Sequence, residues 1–319
     1  MEQRLETILA VELPYRETLK LRRRVYCGGS GPRVAVTAGI HGDELEGLYV
    51  CHRLAAWLEE LGRTQPEALL GQVELYPGLN PLGLDTLQRA IPVYNSDLNF
   101  CFPGHAEGLL PHRIAAAVLR NLQGSRLVLD VHASNVYLRE IPQVRLDERF
   151  VGRLLPLAKR LNVPVIWVQD TATVMENTLA YSLNVRGVSC LMVEMGVGMG
   201  LNTTYTDQLL VGVLTVWRDL GVLAPTLDLE LPTQRPIVAY DKTIHRLNAD
   251  TSGLFVPVVR QGRRVKAGEL LGRIVSPFKG GTLAEISSPV GGILCTLREY
   301  PLVYEGSLLA RVLAATGYE

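Results

Sequence analysis

Short apolar runs alternate with stretches of helical periodicity between residue 31 and about residue 224 of this 319-residue chain. The runs are rich in β-branched residues, whereas the stretches between them repeat apolar residues every three or four positions. The pattern predicts strands at 33–38, 73–76, 126–131, 163–168 and 189–193, and helices at 45–61, 114–122, 154–161 and 206–220. Such alternation favours an α/β fold with a mixed, largely parallel central sheet and helices on both faces.

The pattern changes near Pro225. Three prolines between 225 and 236 and few helix formers indicate a linker. From Ile237 onward, short β-like runs are separated by glycine turns, which is typical of a small all-β domain. The sequence therefore predicts two domains, at 1–224 and 225–319.

The charge balance and the cysteines limit the binding partners and the cellular compartment that can be expected. Acidic and basic residues number 32 each, so no net field favours a nucleic acid or an anionic membrane as a partner. Five scattered cysteines form no CxxC pair and are expected to be free thiols in a reducing compartment. Charged residues interrupt the first twelve positions, which argues against a secretory signal. A cytoplasmic location is expected.

Two histidines and two glutamates lie at or just beyond predicted strands. His41 and Glu44 follow the first strand three residues apart, so a helical turn would place both on one side. His132 and Glu194 end two further strands, and ligands of parallel sheets gather beyond the carboxyl ends of strands. A catalytic zinc takes three nitrogen or oxygen ligands from the protein and keeps one position open. The residues thus predict a metal site, with Asp130 as an outer partner of the histidine two positions later.

Each of these residues alone has an ordinary explanation. A single histidine is more often a core or surface residue than a ligand, and HxxE occurs often by chance. The other histidines have no strand-end context; they are His52, His105, His112 and His245. Only the joint pattern of several strand ends favours a metal site.

At these positions the chain resembles the succinylglutamate desuccinylase/aspartoacylase family, a branch of the zinc carboxypeptidase-like M14 hydrolases. The resemblance covers about residues 30 to 200 in five ordered motifs. They are Gly39-Ile40-His41-Gly42-Asp43-Glu44, Asn80-Pro81 followed by Arg89, Asp97-Leu98-Asn99-Phe100-Cys101-Phe102-Pro103-Gly104, Asp130-Val131-His132, and Val193-Glu194-Met195-Gly196.

The resemblance implies a role for each matched position. His41, Glu44 and His132 would bind one Zn²⁺ per chain. Glu194 would act as general base and Arg89 would polarise the scissile carbonyl, although a solvated loop residue is the alternative for this arginine. Zinc lowers the pKa of water, and the carboxylate can take its proton during attack on an amide.

Substrate contacts are implied less directly. Asn99 matches an asparagine that helps to bind the substrate carboxylate in this family. Phe100 stands where the family motif has arginine, and an aromatic ring cannot replace a bidentate guanidinium. Either the substrate lacks an α-carboxylate, or another arginine, such as Arg139 or Arg186, supplies the contact. Tyr181, Asn184 and Tyr205 are further candidate contacts, with simple packing as the alternative; they are neighbours of the last predicted strand.

The C-terminal part resembles a biotinyl/lipoyl-like barrel-sandwich. Lys279 is near the hairpin that carries the modified lysine in such domains, but Gly280-Gly281 follows it and the spacing differs, so no covalent cofactor is expected. A lid, a pocket wall or an oligomer contact is expected instead, which leaves a homo-oligomer open.

The sequence favours a zinc-dependent amidohydrolase that removes an acyl group from a small N-acylated molecule, as deacetylases and desuccinylases do. Two alternatives remain open: a metallocarboxypeptidase that acts on small peptides, and a non-catalytic protein that binds a metal or ligand. Phe100 disfavours the first, because carboxypeptidases need an anchor for a carboxylate. The full set of ligands and base disfavours the second.

Overall fold

A computed structural model describes residues 1–314 of the chain. The strands are β1 Glu2–Leu13, β2 Arg16–Cys27, β3 Arg33–Ala38, β4 Gln72–Tyr76, β5 Leu127–Ala133, β6 Leu138–Asp147, β7 Val165–Gln169, β8 Ser189–Gly196, β9 Ile237–Tyr240, β10 Ile244–Asn248, β11 Gly253–Pro257, β12 Arg264–Val265, β13 Leu270–Val275, β14 Thr282–Ser287, β15 Gly292–Arg298, β16 Leu302–Val303 and β17 Leu308–Ala314. The α-helices are α1 Glu46–Thr64, α2 Pro81–Thr86, α3 Leu110–Leu122, α4 Val151–Ala158, α5 Leu179–Asn184 and α6 Thr203–Asp219.

A parallel core forms the centre of the largest sheet. Strands β4, β3, β5 and β8 lie side by side in that order and pair in parallel. Antiparallel strands extend this core, with β2 and β1 on one side and β6 on the other. The predicted mixed, largely parallel sheet is therefore confirmed, and each of the five predicted strands is present within a few residues of its expected bounds.

Helices cover both faces of this sheet, as predicted. On one face, α1, α4 and α6 pack against alternate residues of the central strands, including Leu129, Leu191 and Val193. On the other face, α3 and α5 pack against Val128 and Cys190. Each central strand is thus buried on both sides, which explains why these strands are almost continuously apolar.

The C-terminal strands form an all-β sandwich, as the glycine-punctuated sequence predicts. Strands β14, β13, β11 and β16 make a separate antiparallel sheet. Its inner residues, such as Phe255 and Ile274, share a core with Leu294 of β15 and Leu309 of β17.

The C-terminal strands also continue the main sheet. Strand β15 pairs with β6, and β9 pairs in parallel with β7. The first strand beyond residue 224 therefore belongs to the central sheet, and the boundary between 224 and 225 stays a prediction.

Some elements have no counterpart in the sequence analysis. The long β1–β2 hairpin occupies a region for which no strand is predicted, and β6 contains Pro142, which disfavours a central strand. This proline lies at an irregularity in the β6–β8 pairing, between Glu140 and Gln143, where the ladder is interrupted. No helix within residues 1–314 is both long and apolar enough to cross a bilayer.

The packing of α6 on the chain after α4 gives a stability test. A Cβ at Gly212 would overlap the backbone carbonyl of Leu161, whereas a Cβ at Gly152 in α4 would meet no atom of the described residues within 4 Å. Gly212→Ala is expected to lower the free energy of unfolding by about 1–3 kcal/mol despite the better helix propensity of alanine. Urea unfolding followed by circular dichroism measures this change.

Gly152→Ala is the matched control, and it should leave stability unchanged or raise it by up to ~1 kcal/mol. Equal stability of the two variants would contradict the close approach of α6 to Leu161.

Candidate metal centre and active site

The loop after β3 brings His41 and Glu44 to the carboxyl edge of the sheet. Gly39 has a φ of 65°, a conformation that glycine adopts easily, and it turns the chain away from the strand. The segment up to Leu45 is a turn and not the helix that the sequence analysis assumed, because α1 begins only at Glu46. The turn is closed by the Glu44 N–H, which donates to the His41 carbonyl at 3.3 Å, so both side chains still point to one place.

Glu44 lies between the two histidines. Its Oε1 is 2.8 Å from Nδ1 of His41, and its Oε2 is 3.0 Å from Nδ1 of His132. All three residues are buried, and one potential ligand atom from each lies within 4.8 Å of the others. The structure therefore brings together the three predicted metal ligands.

A carboxylate binds the far nitrogen of each imidazole. Nε2 of His41 is 3.0 Å from Oδ1 of Asp97, and Nε2 of His132 is 3.1 Å from Oδ2 of Asp130. Asp130 in turn accepts a hydrogen bond of 2.8 Å from the Thr37 hydroxyl. Carboxylates in this position fix the tautomer of metal-binding histidines and direct the other nitrogen toward the ion.

Asp130 makes the contact that the sequence predicts, whereas the role of Asp97 is new. The sequence analysis names Asp97 only as part of a motif, because it lies on a loop far along the chain from His41. Its other oxygen, Oδ2, accepts a hydrogen bond of 3.2 Å from Nε of Arg89.

The charges of the cluster fit a divalent cation. Three carboxylates and the guanidinium of Arg89 leave two negative charges uncompensated while both imidazoles are neutral. In addition, Nδ1 of His41 is buried and takes part in no hydrogen bond with residues 1–314, despite its closeness to Glu44. Two imidazole nitrogens and a carboxylate are a donor set that zinc accepts.

The pKa values of His132 and Glu44 reflect the same charge distribution. Burial alone would lower the pKa of His132, but Asp130 and Glu44 raise it well above its ordinary value. Burial alone would raise the pKa of Glu44, but the two histidines hold it below its ordinary value. Both directions show that the site favours positive charge next to Glu44.

Arg89 lies beside the predicted ligands. Its Nη1 donates to Oε1 of Glu44 at 2.8 Å, and 42% of its side chain is exposed. It borders the same cavity as His41 and His132. The structure therefore brings this arginine, which lies on an exposed loop, into contact with a predicted metal ligand.

Glu194 borders the cavity from the neighbouring strand. It lies directly opposite His132 in the parallel β5–β8 pairing, so both side chains project from the same face of the sheet. Burial raises the pKa of its carboxyl group, while Arg145, with Nη1 at 3.3 Å from Oε1, acts to lower it.

The cavity has a volume of about 560 Å³ and opens beyond the strand ends. Asn99 and Phe100 line it, as the sequence analysis expects of substrate contacts. Asn99 also accepts a hydrogen bond of 3.2 Å from the Leu179 N–H, and 41% of Phe100 is exposed.

Two other predicted contacts lie outside this cavity. Asn184 is buried, and its amide exchanges hydrogen bonds of 2.9 and 3.0 Å with the backbone of Cys190. Tyr181 packs beside the guanidinium of Arg149, 4.8 Å from the ring centroid. Both residues border a small adjoining cavity that shares Arg145 and Gln169 with the larger one, and the hydrogen bonds of Asn184 hold α5 to β8.

Arg139 and Arg186, the two arginines expected to replace the contact that the family's arginine makes at position 100, also lie outside this cavity. Arg139 forms an ion pair with Glu299 at 2.7 Å, and Arg186 donates to the Ser182 carbonyl. The cavity instead contains Arg145 and Arg311, which the sequence analysis did not single out. Arg145 is on the unpredicted strand β6, and Arg311 is in the last described strand.

Comparison with known proteins identifies a family whose catalytic domain covers the residues of this site. Residues 30–220 match the family model for the succinylglutamate desuccinylase/aspartoacylase catalytic domain. The chain is 26% identical over 298 residues to the N-alpha-acetyl-L-2,4-diaminobutyric acid deacetylase of Halomonas elongata. That alignment spans 88% of this chain and 82% of the relative.

Solved structures share the fold over nearly the whole chain. The product-bound ectoine utilization protein EutE (DoeB) from Ruegeria pomeroyi superposes with a TM-score of 0.82 at 21% identity, covering 98% of this chain and 95% of that one. The succinylglutamate desuccinylase/aspartoacylase from Rhodobacter sphaeroides gives a TM-score of 0.81 at 23% identity, with 99% and 95% covered. At these identities the likeness shows the common fold.

Metal analysis tests the ligand set. Purified protein is expected to hold about one divalent metal ion per chain, and His132→Ala should lose it because one of three ligands is gone. His52→Ala removes an exposed histidine of α1 and should keep the full metal content. Elemental analysis after dialysis measures both variants, and equal metal in the two would contradict the assignment of His132.

Proposed function

Because the chain belongs to the succinylglutamate desuccinylase/aspartoacylase family, we propose that it is a zinc-dependent amidohydrolase that removes an acyl group from a small N-acylated substrate. The observation that carries this proposal is the convergence of His41, Glu44 and His132 with Glu194 and Arg89 on one cavity. This combination supplies metal ligands, a carboxylate base and a cation within a single space.

His41, Glu44 and His132 would hold the zinc ion. Zinc, when bound, acts as a Lewis acid that polarises a carbonyl group and lowers the pKa of water. The histidine Nδ1 atoms would be the ligand atoms, because Asp97 and Asp130 occupy the Nε2 atoms. These carboxylates also keep the imidazoles from rotating.

Glu194 is the group suited to move protons. Its raised pKa makes the carboxyl group a better proton acceptor than an ordinary glutamate, and burial shields it from bulk water. It would take a proton from the water that attacks the carbonyl carbon, and then deliver that proton to the leaving nitrogen.

Arg89 is placed to stabilise negative charge that develops on the carbonyl oxygen. It is held from two sides, by Glu44 at 2.8 Å and by Asp97 at 3.2 Å, so its guanidinium needs little reorganisation during the reaction. Removing one donor from comparable oxyanion sites lowers kcat by about 10²–10³-fold.

The substrate is proposed from the chemistry of the cavity and from the relatives. A cavity of about 560 Å³ suits a small molecule. The Halomonas elongata relative is named for the deacetylation of N-alpha-acetyl-L-2,4-diaminobutyric acid, which makes an N-acetylated amino compound the first substrate to test.

A substrate panel tests the proposal as a whole. N-acetyl, N-formyl and N-succinyl amines, each with and without an α-carboxylate, would be incubated with the zinc-loaded protein, and released amine would be measured. Turnover of at least one compound is expected. Short peptides would be assayed in parallel; cleavage of these alone would favour a carboxypeptidase, and no turnover of any compound would favour a non-catalytic binding protein.

Glu194→Gln tests the proposed base. The variant keeps the shape of the side chain and should bind zinc as the wild type does, but its kcat should fall by about 10²–10⁴-fold because an amide cannot accept the proton. Glu285→Gln, an exposed glutamate of β14, is the control and should retain full activity. An unimpaired kcat in Glu194→Gln would remove this residue from its proposed role.

A further inference from the structure

The last described strand contributes an arginine to the candidate active site. Arg311 of β17 borders the same cavity as the predicted metal ligands. Strand β17 reaches this position because it pairs with β15, and β15 pairs with β6 so that Thr296 lies opposite Glu140. The C-terminal part of the chain therefore forms a wall of the cavity.

A buried carboxylate joins this arginine to the central sheet. Only 1% of the Glu140 side chain is exposed. Its Oε1 accepts hydrogen bonds from Arg311 at 2.6 Å and from the Thr296 hydroxyl at 2.9 Å, and its Oε2 accepts one from Arg145 at 2.7 Å. A buried carboxylate is unfavourable unless it is paired, and these three contacts supply that pairing.

Arg145 links Glu140 to the proposed base. One guanidinium nitrogen is 2.7 Å from Glu140, and another is 3.3 Å from Oε1 of Glu194. Arg145 lies two residues along β6 from Gln143, which is directly opposite Glu194, so both charged side chains project from the same face.

Trp167 supports both arginines. The guanidinium carbons of Arg145 and Arg311 lie 5.1 and 5.6 Å from the centroid of the Trp167 ring, within the range of cation–π attraction. The ring is itself held by Asp241, which accepts a hydrogen bond of 2.6 Å from the indole N–H. The two guanidinium groups therefore have little freedom to move apart.

We propose that Arg145 positions the Glu194 carboxylate for proton transfer, and that Arg311, acting through Glu140, holds Arg145 in place. The inference rests on the proposed function, because it assumes that Glu194 is the base. It makes the C-terminal strand β17 part of the catalytic apparatus, and it gives Arg145 and Arg311 the role of positioning residues.

Removal of the Arg311 guanidinium would leave Glu140 with a single cationic partner in the described part of the chain, Arg145. That arginine is already nearer to Glu140 than to Glu194. Arg145 is expected to turn toward the uncompensated Glu140 with both terminal nitrogens. Glu194 would lose its only arginine contact among the described residues and its fixed orientation, although the metal ligands would be untouched.

Steady-state kinetics of Arg311→Met, on a substrate that the wild type hydrolyses, test the proposal. The variant is expected to bind zinc normally and to lose roughly 10- to 100-fold in kcat, which is the effect of a small displacement of a reacting group. KM should stay within about twofold of the wild type, because a positioning effect on the base does not remove ground-state binding. Arg311→Lys can still pair with Glu140 and should restore kcat to within about threefold of the wild type.

Arg139→Met is the matched control. Arg139 also lies on β6 and also pairs with the C-terminal part, through Glu299, but it lies outside the cavity. If Arg311 merely docked the C-terminal strands, Arg139→Met would lower kcat to a similar degree. The proposal predicts that Arg139→Met keeps the wild-type kcat.

A second comparison applies if Arg311→Met does not fold. Lysine at 145 cannot bridge two carboxylates as a guanidinium does, so Arg145→Lys should be impaired while Arg311→Lys is active. Equal activity of these two lysine variants would overturn the inference, as would a normal kcat in Arg311→Met. A zinc-loaded wild type that hydrolyses no acyl amine would overturn the proposed function as well, and the two failures are thereby distinguished.

Discussion

Three central strands, β3, β5 and β8, pair in parallel with their carboxyl ends nearly level, and the candidate site depends on that register. Val131 lies opposite Ala38, and His132 lies opposite Glu194. A chain that leaves β3 and turns at Gly39 therefore arrives beside the ends of the other two strands. Residues that are distant in the sequence meet at one edge because the register aligns the carboxyl ends of the strands, which is where ligand sites of open α/β sheets lie.

The site concentrates charge that would be unfavourable without partners. Glu44, Asp130, Glu140 and Glu194 are all buried, and each lies near a histidine or an arginine. At the candidate metal centre the carboxylates exceed the cations, whereas at the opposite wall of the cavity, formed by β6 and β17, Arg145 and Arg311 balance Glu140 and Glu194. The cavity thus has one end suited to a cation and another end that is neutral and held rigidly by ion pairs.

The sequence predicts the central strands and the three candidate ligands because these signals are local. A buried strand is a continuous apolar run, and a polar residue at its end is visible in the same window, as with Asp130-Val131-His132. The contact of Asp97 with His41 is not local, since it depends on how a long loop returns to the sheet. The motif in which Asp97 lies can be recognised in the sequence, but it does not show that His41 is the partner of this residue.

The wall of the cavity formed by β6 and β17 could not be predicted from the sequence, for a different reason. Strand β6 combines Pro142 with charged residues, a composition typical of loops and edges, and only pairing on both sides makes it a central strand. Without β6, neither Arg145 nor the approach of Arg311 can be anticipated. Asn184 and Tyr181 are predicted as substrate contacts from their nearness to the last strand in sequence, and they border a small cavity that adjoins the candidate site instead of lining the site itself.

The central claim is that one metal ion lies between His41, Glu44 and His132 with Glu194 beside it. A crystal structure of the zinc-loaded protein, with anomalous data collected on both sides of the zinc absorption edge, tests it most directly. The account predicts a single strong anomalous peak, bonded to the Nδ1 atoms of both histidines and to a Glu44 oxygen, on the side of the cavity that Glu194 borders. A peak coordinated elsewhere, or bonded through the Nε2 atoms that contact Asp97 and Asp130, would contradict it.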